Sequence, residues 1–329
     1  MKQFWQDIGI AFIMGLIVPS LLLAAVMSLS GDHTQVPLIT EYVPATVSEP
    51  EVGADNSQRR IPVLYEDGQI RELPLNDYLT SVVLAEMPVS FEEEALKAQT
   101  VVARTYTIRA VNGASKHENA AVCTNSTCCQ GYIDAEEYVS SGGSTEAVQL
   151  IHRLVESTDG QVLTYKGDLI EATYFSCSGG VTEDALAVWG TDVPYLQSVV
   201  SPGEEHATYF TDTVTFTAEE LEARLAITLN GAAASWFSNI TYTDGGGVAT
   251  IQIGGVEFSG TQLRKLLSLR STAFSVTAEE DSITIHTRGY GHRVGMSQYG
   301  ADAMAASGST YPQILSHYYQ GTELTSYAD

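Results

Sequence analysis

Basic residues are scarce in this chain of 329 residues: 16 Lys and Arg stand against 40 Asp and Glu, a formal net charge of -24. No basic cluster interrupts the acidity. Phosphate contacts need Lys and Arg, so nucleic acid is excluded as a partner. Tight binding to anionic lipid head groups is disfavoured for the same reason. A neutral glycan backbone is compatible with such a surface. Glycine-rich stretches occur, but no Gly-x-x-x-x-Gly-Lys-Ser/Thr spacing accompanies them, which excludes a P-loop. Cysteine is also sparse, at 4 residues. Three of them fall in one loop.

What is present begins with Ile8 to Ser30, 23 residues without a charge. About 20 apolar residues cross a bilayer as a helix, and Pro19 is tolerable there. Lys2 precedes the run and the next Lys or Arg is Arg59. The positive-inside rule therefore places the N-terminus in the cytoplasm and the remainder outside. Residues 1–30 are expected to be a cytoplasmic tip and an uncleaved anchor, with a cleaved signal peptide as the alternative. Residues 31–60 read as an acidic linker without sustained periodicity. Residues 61–329 form the globular part.

That part is organised around Leu73 to Arg109, which reads as two helices broken at Met87-Pro88. Leu75, Leu79, Val82 and Val83 recur at helical spacing and mark a buried face. Glu86 projects from that same face, and Pro88 ends the helix just after it. The negative end of the helix dipole and partial desolvation both disfavour a charged carboxylate there. A carboxyl group held protonated is suited to general acid catalysis. A rim glutamate paired with an arginine is the competing reading. The second helix is expected to start with a capping box of Ser90 and Glu93. It carries Arg104, which could cross to Glu86 or meet a substrate.

The loop from Asn112 to Gly143 holds His117, Cys123, Cys128 and Cys129. The His-x5-Cys-x5-Cys spacing picks out His117, Cys123 and Cys129, and imidazole with thiolates suits tetrahedral zinc. An exported loop can form disulfides instead, and Cys177 is available as a partner. Helix is expected over Ser144 to Ser157, and strands over Gln161 to Thr164 and Leu169 to Phe175. The Ser176 to Gly180 loop is read as a close approach to a sugar. Trp189, Tyr195 and Asp192 could stack on and hydrogen-bond a sugar ring. Val214 to Ser271 alternates helix and strand and is read as scaffold. Glycines at 289, 291 and 295 surround His292 in a loop of fixed geometry. Short helices follow, up to Tyr319. The class is α+β.

LAEMP with EEALKAQTVVARTY, then YFSCSGGVTEDALAVWGTDVPYL, then RGYGHRVGMSQYG and HYYQG resemble, in order, the SpoIID family of peptidoglycan lytic transglycosylases. The resemblance covers about residues 60 to 329. It implies a SpoIID-type catalytic domain with a glycan-binding cleft and Glu86 as the catalytic acid. Arg104, Tyr195, His292 and Tyr319 are implied as substrate-binding residues. Relatives that carry zinc imply it for His117, Cys123 and Cys129; no organic cofactor is implied. The implied substrate is the glycan strand stripped of stem peptides, during forespore engulfment in sporulation. The implied partners are an amidase and a membrane anchor protein. Many relatives have Gly where this chain has Arg293. Some relatives modify an amidase without cutting glycan, which gives a second functional reading.

Overall fold

The structure is a computed structural model, and it describes residues 59–327. The expected anchor and most of the expected linker lie outside the described residues. Among the described residues no helix is long and apolar enough to cross a membrane.

The chain enters as a hairpin, β1 (Arg60–Leu64) and β2 (Ile70–Pro74), turning at Glu66-Asp67-Gly68. Helix α1 (Leu75–Glu86) follows at once. Its predicted apolar face is right: Leu75, Leu79, Val82 and Val83 are fully buried. The helix stops where Pro88 requires, with Met87 in extended conformation.

Helix α2 (Glu93–Arg109) is the centre of the larger core. It is buried nearly all round, which its many Ala, Val and Thr residues permit because small side chains let neighbours approach closely. The hydroxyls of Thr100, Thr105 and Thr107 satisfy themselves on carbonyls one turn back. The expected capping box at Ser90 does not form. Glu92 is the N-cap, without a side-chain cap, and its N–H is held instead by Asp302 Oδ1 at 2.8 Å.

The metal-loop segment contributes β3 (Val122–Cys123), which pairs in parallel with β1. After α3 (Ala135–Ser140) comes α4 (Thr145–Ser157), capped by Ser144. Strands β4 (Gln161–Tyr165), β5 (Asp168–Leu169) and β6 (Tyr174–Phe175) and helix α5 (Ala185–Trp189) complete this half. The predicted strand over 169–175 is interrupted at 170–173.

A second core is built from β7 (Thr211–Thr217), α6 (Ala218–Leu225), β8 (Phe237–Tyr242), β9 (Val248–Ile253), β10 (Val256–Ser259), α7 (Gly260–Leu266), β11 (Phe274–Ala278) and β12 (Ser282–Arg288). These make two antiparallel three-stranded sheets, β10-β9-β8 and β11-β12-β7. They enclose Phe216, Leu221, Trp236, Ile251, Leu263 and Ile285 among others. The chain then returns to the first core through β13 (Met296–Ser297), α8 (Gln298–Ala306), α9 (Tyr311–Tyr318) and β14 (Glu323–Ser326). Strand β13 pairs in parallel with β6, setting Met296 opposite Tyr174 and Ser297 opposite Phe175. That pairing joins two distant sequence motifs.

Candidate functional site

Glu86 is half-buried at the last position of α1. Three donors converge on its carboxylate from three parts of the chain. The Gly131 N–H and the Tyr174 hydroxyl, at 2.9 Å, both donate to Oε1. The Gln298 side-chain amide reaches Oε2 at 3.4 Å. None of these contacts is a carboxylate, and none is an arginine, so the salt-bridged rim glutamate is not what forms.

Each donor is itself held. Tyr174 is placed by the β6–β13 pairing, and its hydroxyl also lies 3.4 Å from Gln130 Oε1. Burial first, and then the charge of Glu86, push the Tyr174 phenol well above its usual range, so it remains a donor. Gln130 is buried and donates to Thr107 Oγ1 at 3.1 Å. Gln298 opens α8. Thr173, next to Tyr174, accepts the Tyr319 hydroxyl at 2.7 Å. It is also approached so closely by Gly295 that a Cβ there would lie 2.1 Å from its carbonyl.

His292 sits behind Tyr174. Its ring packs edge-on against Phe175 at 5.6 Å and tilted against Trp189 at 5.5 Å. The Val294 N–H donates to Nδ1 at 3.1 Å, which leaves the proton of the neutral ring on Nε2. Burial, and after it the Arg264 guanidinium, push His292 down to about 4. The ring is therefore neutral at pH 7. Trp189 remains 43% exposed beside it and offers a free aromatic face.

Two expected substrate contacts lie elsewhere. Arg104 is 1% exposed. Its guanidinium donates to the carbonyls of Thr158 (2.7 Å), Val155 (2.9 Å) and Gln161 (3.3 Å). It caps the C-terminal end of α4, where carbonyls lack helical partners, and it touches neither Glu86 nor an open cleft. Tyr319 is fully buried, and its hydroxyl is committed to Thr173. Its part in the site is to fix the backbone beside Tyr174. Tyr195 is half-buried against Tyr165 at 5.3 Å, and its hydroxyl accepts the Glu171 N–H.

The glycine-rich loop also differs from expectation. The N–H groups of Ser178 (2.9 Å) and Gly179 (2.8 Å) point at Glu204 Oε2. Glu204 is itself buried, so these amides are occupied from within and not by a sugar. Arg293 occupies the left-handed region at φ 67, where a glycine would sit without strain. Its buried guanidinium pairs with Glu183 at 3.1 Å and donates to Ser178 O, Val181 O and Gly245 O. The arginine thus fastens the glycine-rich loop to the β8–β9 turn of the second core.

His117, Cys123, Cys128 and Cys129 bring one ligand atom each to within 4.8 Å of one another. His117 Nε2 lies 3.4 Å from Cys129 Sγ and 3.7 Å from Cys128 Sγ, and the two sulfurs are 4.0 Å apart. A tetrahedral ion with bonds of about 2.0–2.3 Å separates its N and S ligands by roughly 3.5–3.8 Å. The spacing thus fits a metal ion, and Cys128 joins the three residues expected. Cys177 is outside this group. It is buried opposite Tyr290, and burial pushes its thiol up to about 11. All four cysteines are free thiols here. The cysteine loop runs straight into Gln130-Gly131, so Cys129 stands two residues before the N–H that holds Glu86.

Tyr174, Gln298 and Gln130 carried no role in the sequence reading, though each lies inside or beside a motif. Only the β6–β13 pairing shows why the motifs belong together.

Residues 66–165 match the family described as Stage II sporulation protein. The chain is 36% identical over 334 residues to stage II sporulation protein D of Bacillus subtilis (strain 168), covering 99% of this chain and 96% of that protein. It is 39% identical over 261 residues to stage II sporulation protein D of Bacillus amyloliquefaciens, covering 78% of this chain and 75% of that protein. It is also 31% identical over 308 residues to a Bacillus subtilis protein named amidase enhancer, covering 76% of this chain and 40% of that protein. With a match that runs nearly end to end, the chain belongs to the stage II sporulation protein D family.

Proposed function

We propose that this sporulation-family protein is a lytic transglycosylase that cleaves peptidoglycan glycan strands. The observation that supports the reading most directly is the half-buried carboxyl of Glu86, on which three donors from three parts of the chain converge. A glycosidase that hydrolyses by the usual routes needs two carboxyl groups; an intramolecular transfer needs one. Glu86 in its acid form would give its proton to the glycosidic oxygen as the C1–O bond breaks. The resulting carboxylate, held by the Gly131 N–H and the Tyr174 hydroxyl, takes the proton of the C6 hydroxyl of the same sugar. That oxygen closes on C1 and leaves a 1,6-anhydro end, with no water consumed. Trp189 offers a stacking face beside His292.

We assign zinc to His117, Cys123, Cys128 and Cys129. A four-ligand set is closed, so the ion would order the loop that delivers Gly131 and would take no part in bond breaking. The anchor over residues 8–30 would tether the domain to the outer face of the cell membrane. A sporulation amidase and a membrane anchor protein would be its partners, and peptide-free strands in the engulfment space its substrate.

The experiment is Glu86→Gln, which keeps shape and hydrogen bonding but delivers no proton. The variant should fold and bind glycan. Its release of anhydro ends from peptide-free strands, read by mass spectrometry, should fall at least ~10²-fold. Cleavage at the parent rate sinks the assignment. The 31% match to a protein named amidase enhancer favours a second reading, in which the domain modifies an amidase without cutting. Parent protein that produces no anhydro ends but raises amidase turnover would establish it.

A further inference from the structure

The second core, read from sequence as scaffold, carries a cavity of about 480 Å³. That is within the range of small-ligand pockets. It lies between the open face of the β11-β12-β7 sheet and the turn joining β8 to β9, with Gly246 on its wall. The register places its polar lining on one face: Thr213 and Ser275 flank His286, and Thr211 stands beside Arg288. Tyr242, 57% exposed, stands at its side. His286 is fixed from both nitrogens, 3.3 Å from Thr213 Oγ1 and 3.2 Å from Thr277 Oγ1. The cavity is thus lined by hydroxyls, one oriented imidazole, one phenol and one guanidinium. Hydroxyl-rich ligands with a flat apolar face are what such a set receives.

The guanidinium narrows the choice. Asp212, the acidic group on the wall, is paired with Arg270 at 3.5 Å. Arg270 in turn lies over the rings of Tyr209 and Tyr290, at 4.3 and 4.9 Å. Arg288 is exposed, and among the described residues its side chain forms no ion pair. On a chain of net charge -24, an uncommitted arginine in a polar cavity is a local exception. A neutral strand would not need it. A glycan with a free carboxylate would, because the rest of the surface repels that charge.

Connectivity ties the cavity to the Glu86 site. Arg288 is two residues from Tyr290, Tyr290 bridges to Cys177, and Cys177 is three residues after Tyr174. At strand dimensions that path is on the order of 20 Å, the reach of a few sugar rings.

We propose that this cavity is a remote glycan subsite that reads carboxylate, with Arg288 receiving the acid group of a sugar whose peptide has been removed. The proposal rests on the glycan-cleavage reading and adds the source of a preference for stripped strands. Removing the peptide converts an uncharged amide into a carboxylate, and Arg288 distinguishes the two.

The test uses the full chain carrying Glu86→Gln, so that bound strands stay intact. Two probes are compared by equilibrium binding at low salt: peptide-free glycan strands, and the same strands with their carboxylates converted to methylamides. The parent should bind the carboxylate form about tenfold more tightly. Adding Arg288→Gln should bring the ratio close to one, and Arg288→Lys should keep part of it. Because the ratio is taken within each variant, a general loss of folded protein does not imitate the effect. A ratio that Arg288→Gln leaves unaltered, or a parent that binds both forms equally, overturns the subsite alone. A parent that binds neither form overturns the glycan reading beneath it.

Discussion

Gly131 gives its backbone N–H to Glu86 Oε1, and a Cβ on Gly131 would lie only 2.9 Å from that same oxygen. The φ of Gly131 is not positive, so the absence of a side chain serves the approach of the carboxylate and not an unusual backbone turn. The obstructed atom is the tip of a flexible side chain. Gly131→Ala should therefore fold, because Glu86 can swing away. Swinging away breaks the hydrogen bond and moves the acid off its position. We predict near-parental thermal stability with glycan cleavage reduced at least ~10-fold, since small misplacement of a reacting group is costly. Parental cleavage in Gly131→Ala would show that the N–H does not position the acid.

Arg104 makes a contrasting prediction. Its guanidinium holds two carbonyls at the end of α4, of Val155 and Thr158, and a third at the start of β4, of Gln161. Truncation leaves buried acceptors unpaired, each a cost of about 1–3 kcal/mol. Arg104→Ala should lower the urea midpoint markedly, while the fraction still folded keeps its KM for glycan. A raised KM with unchanged stability would return Arg104 to the cleft.

The metal assignment is tested by stoichiometry and ligand count. Reduced protein should carry about one zinc equivalent, and cobalt substitution should give a tetrahedral thiolate spectrum. Cys128→Ser should weaken the ion by at least about tenfold, measured by competition with a chromophoric chelator, and reduce the thiolate-to-cobalt band. An unaltered spectrum would remove Cys128 from the set. Because Gly131 follows the loop, chelation should also depress cleavage in parallel with the metal released.

How far the sequence carries can be judged from these residues. Glu86 was legible because helical spacing and Pro88 are local signals, and they fixed both the face and the end of α1. His117, Cys123 and Cys129 were picked out by spacing together with the family resemblance; Cys128 was left over, as a spare thiol, a disulfide partner or a fourth ligand, and only the folded geometry brings its sulfur among the other three ligand atoms. Arg104 was misplaced because a charged residue in a helix ordinarily faces water or a ligand. Its true partners are the backbone carbonyls of Val155, Thr158 and Gln161, which leave no trace in side-chain identity. The same holds for Tyr319, whose partner is the Thr173 carbonyl. The role of Glu204, which reaches the glycine-rich loop from another segment, was invisible for a related reason: an internal carboxylate fills an anion-binding curl of backbone that looks from sequence like a ligand site.

His292 gives the last prediction, through its proton. In the unfolded chain the ring takes up a proton near 6.5, and in the folded chain only near 4, because burial opposes the charge and Arg264 repels it. Between those values the unfolded state binds more protons, so acidification favours unfolding. The stabilisation is complete above pH 6.5 and is lost as pH falls toward 4. At about 1.4 kcal/mol per pH unit, the whole span amounts to on the order of 3 kcal/mol. Urea midpoints of the parent should therefore fall from pH 7 to pH 4.5 more steeply than those of His292→Gln, whose side chain does not titrate. Above pH 7 the two proteins should show parallel dependence. Equal slopes between pH 7 and 4.5 would mean that the ring is protonated in the fold, and the neutral imidazole between Phe175 and Trp189 would have to be abandoned.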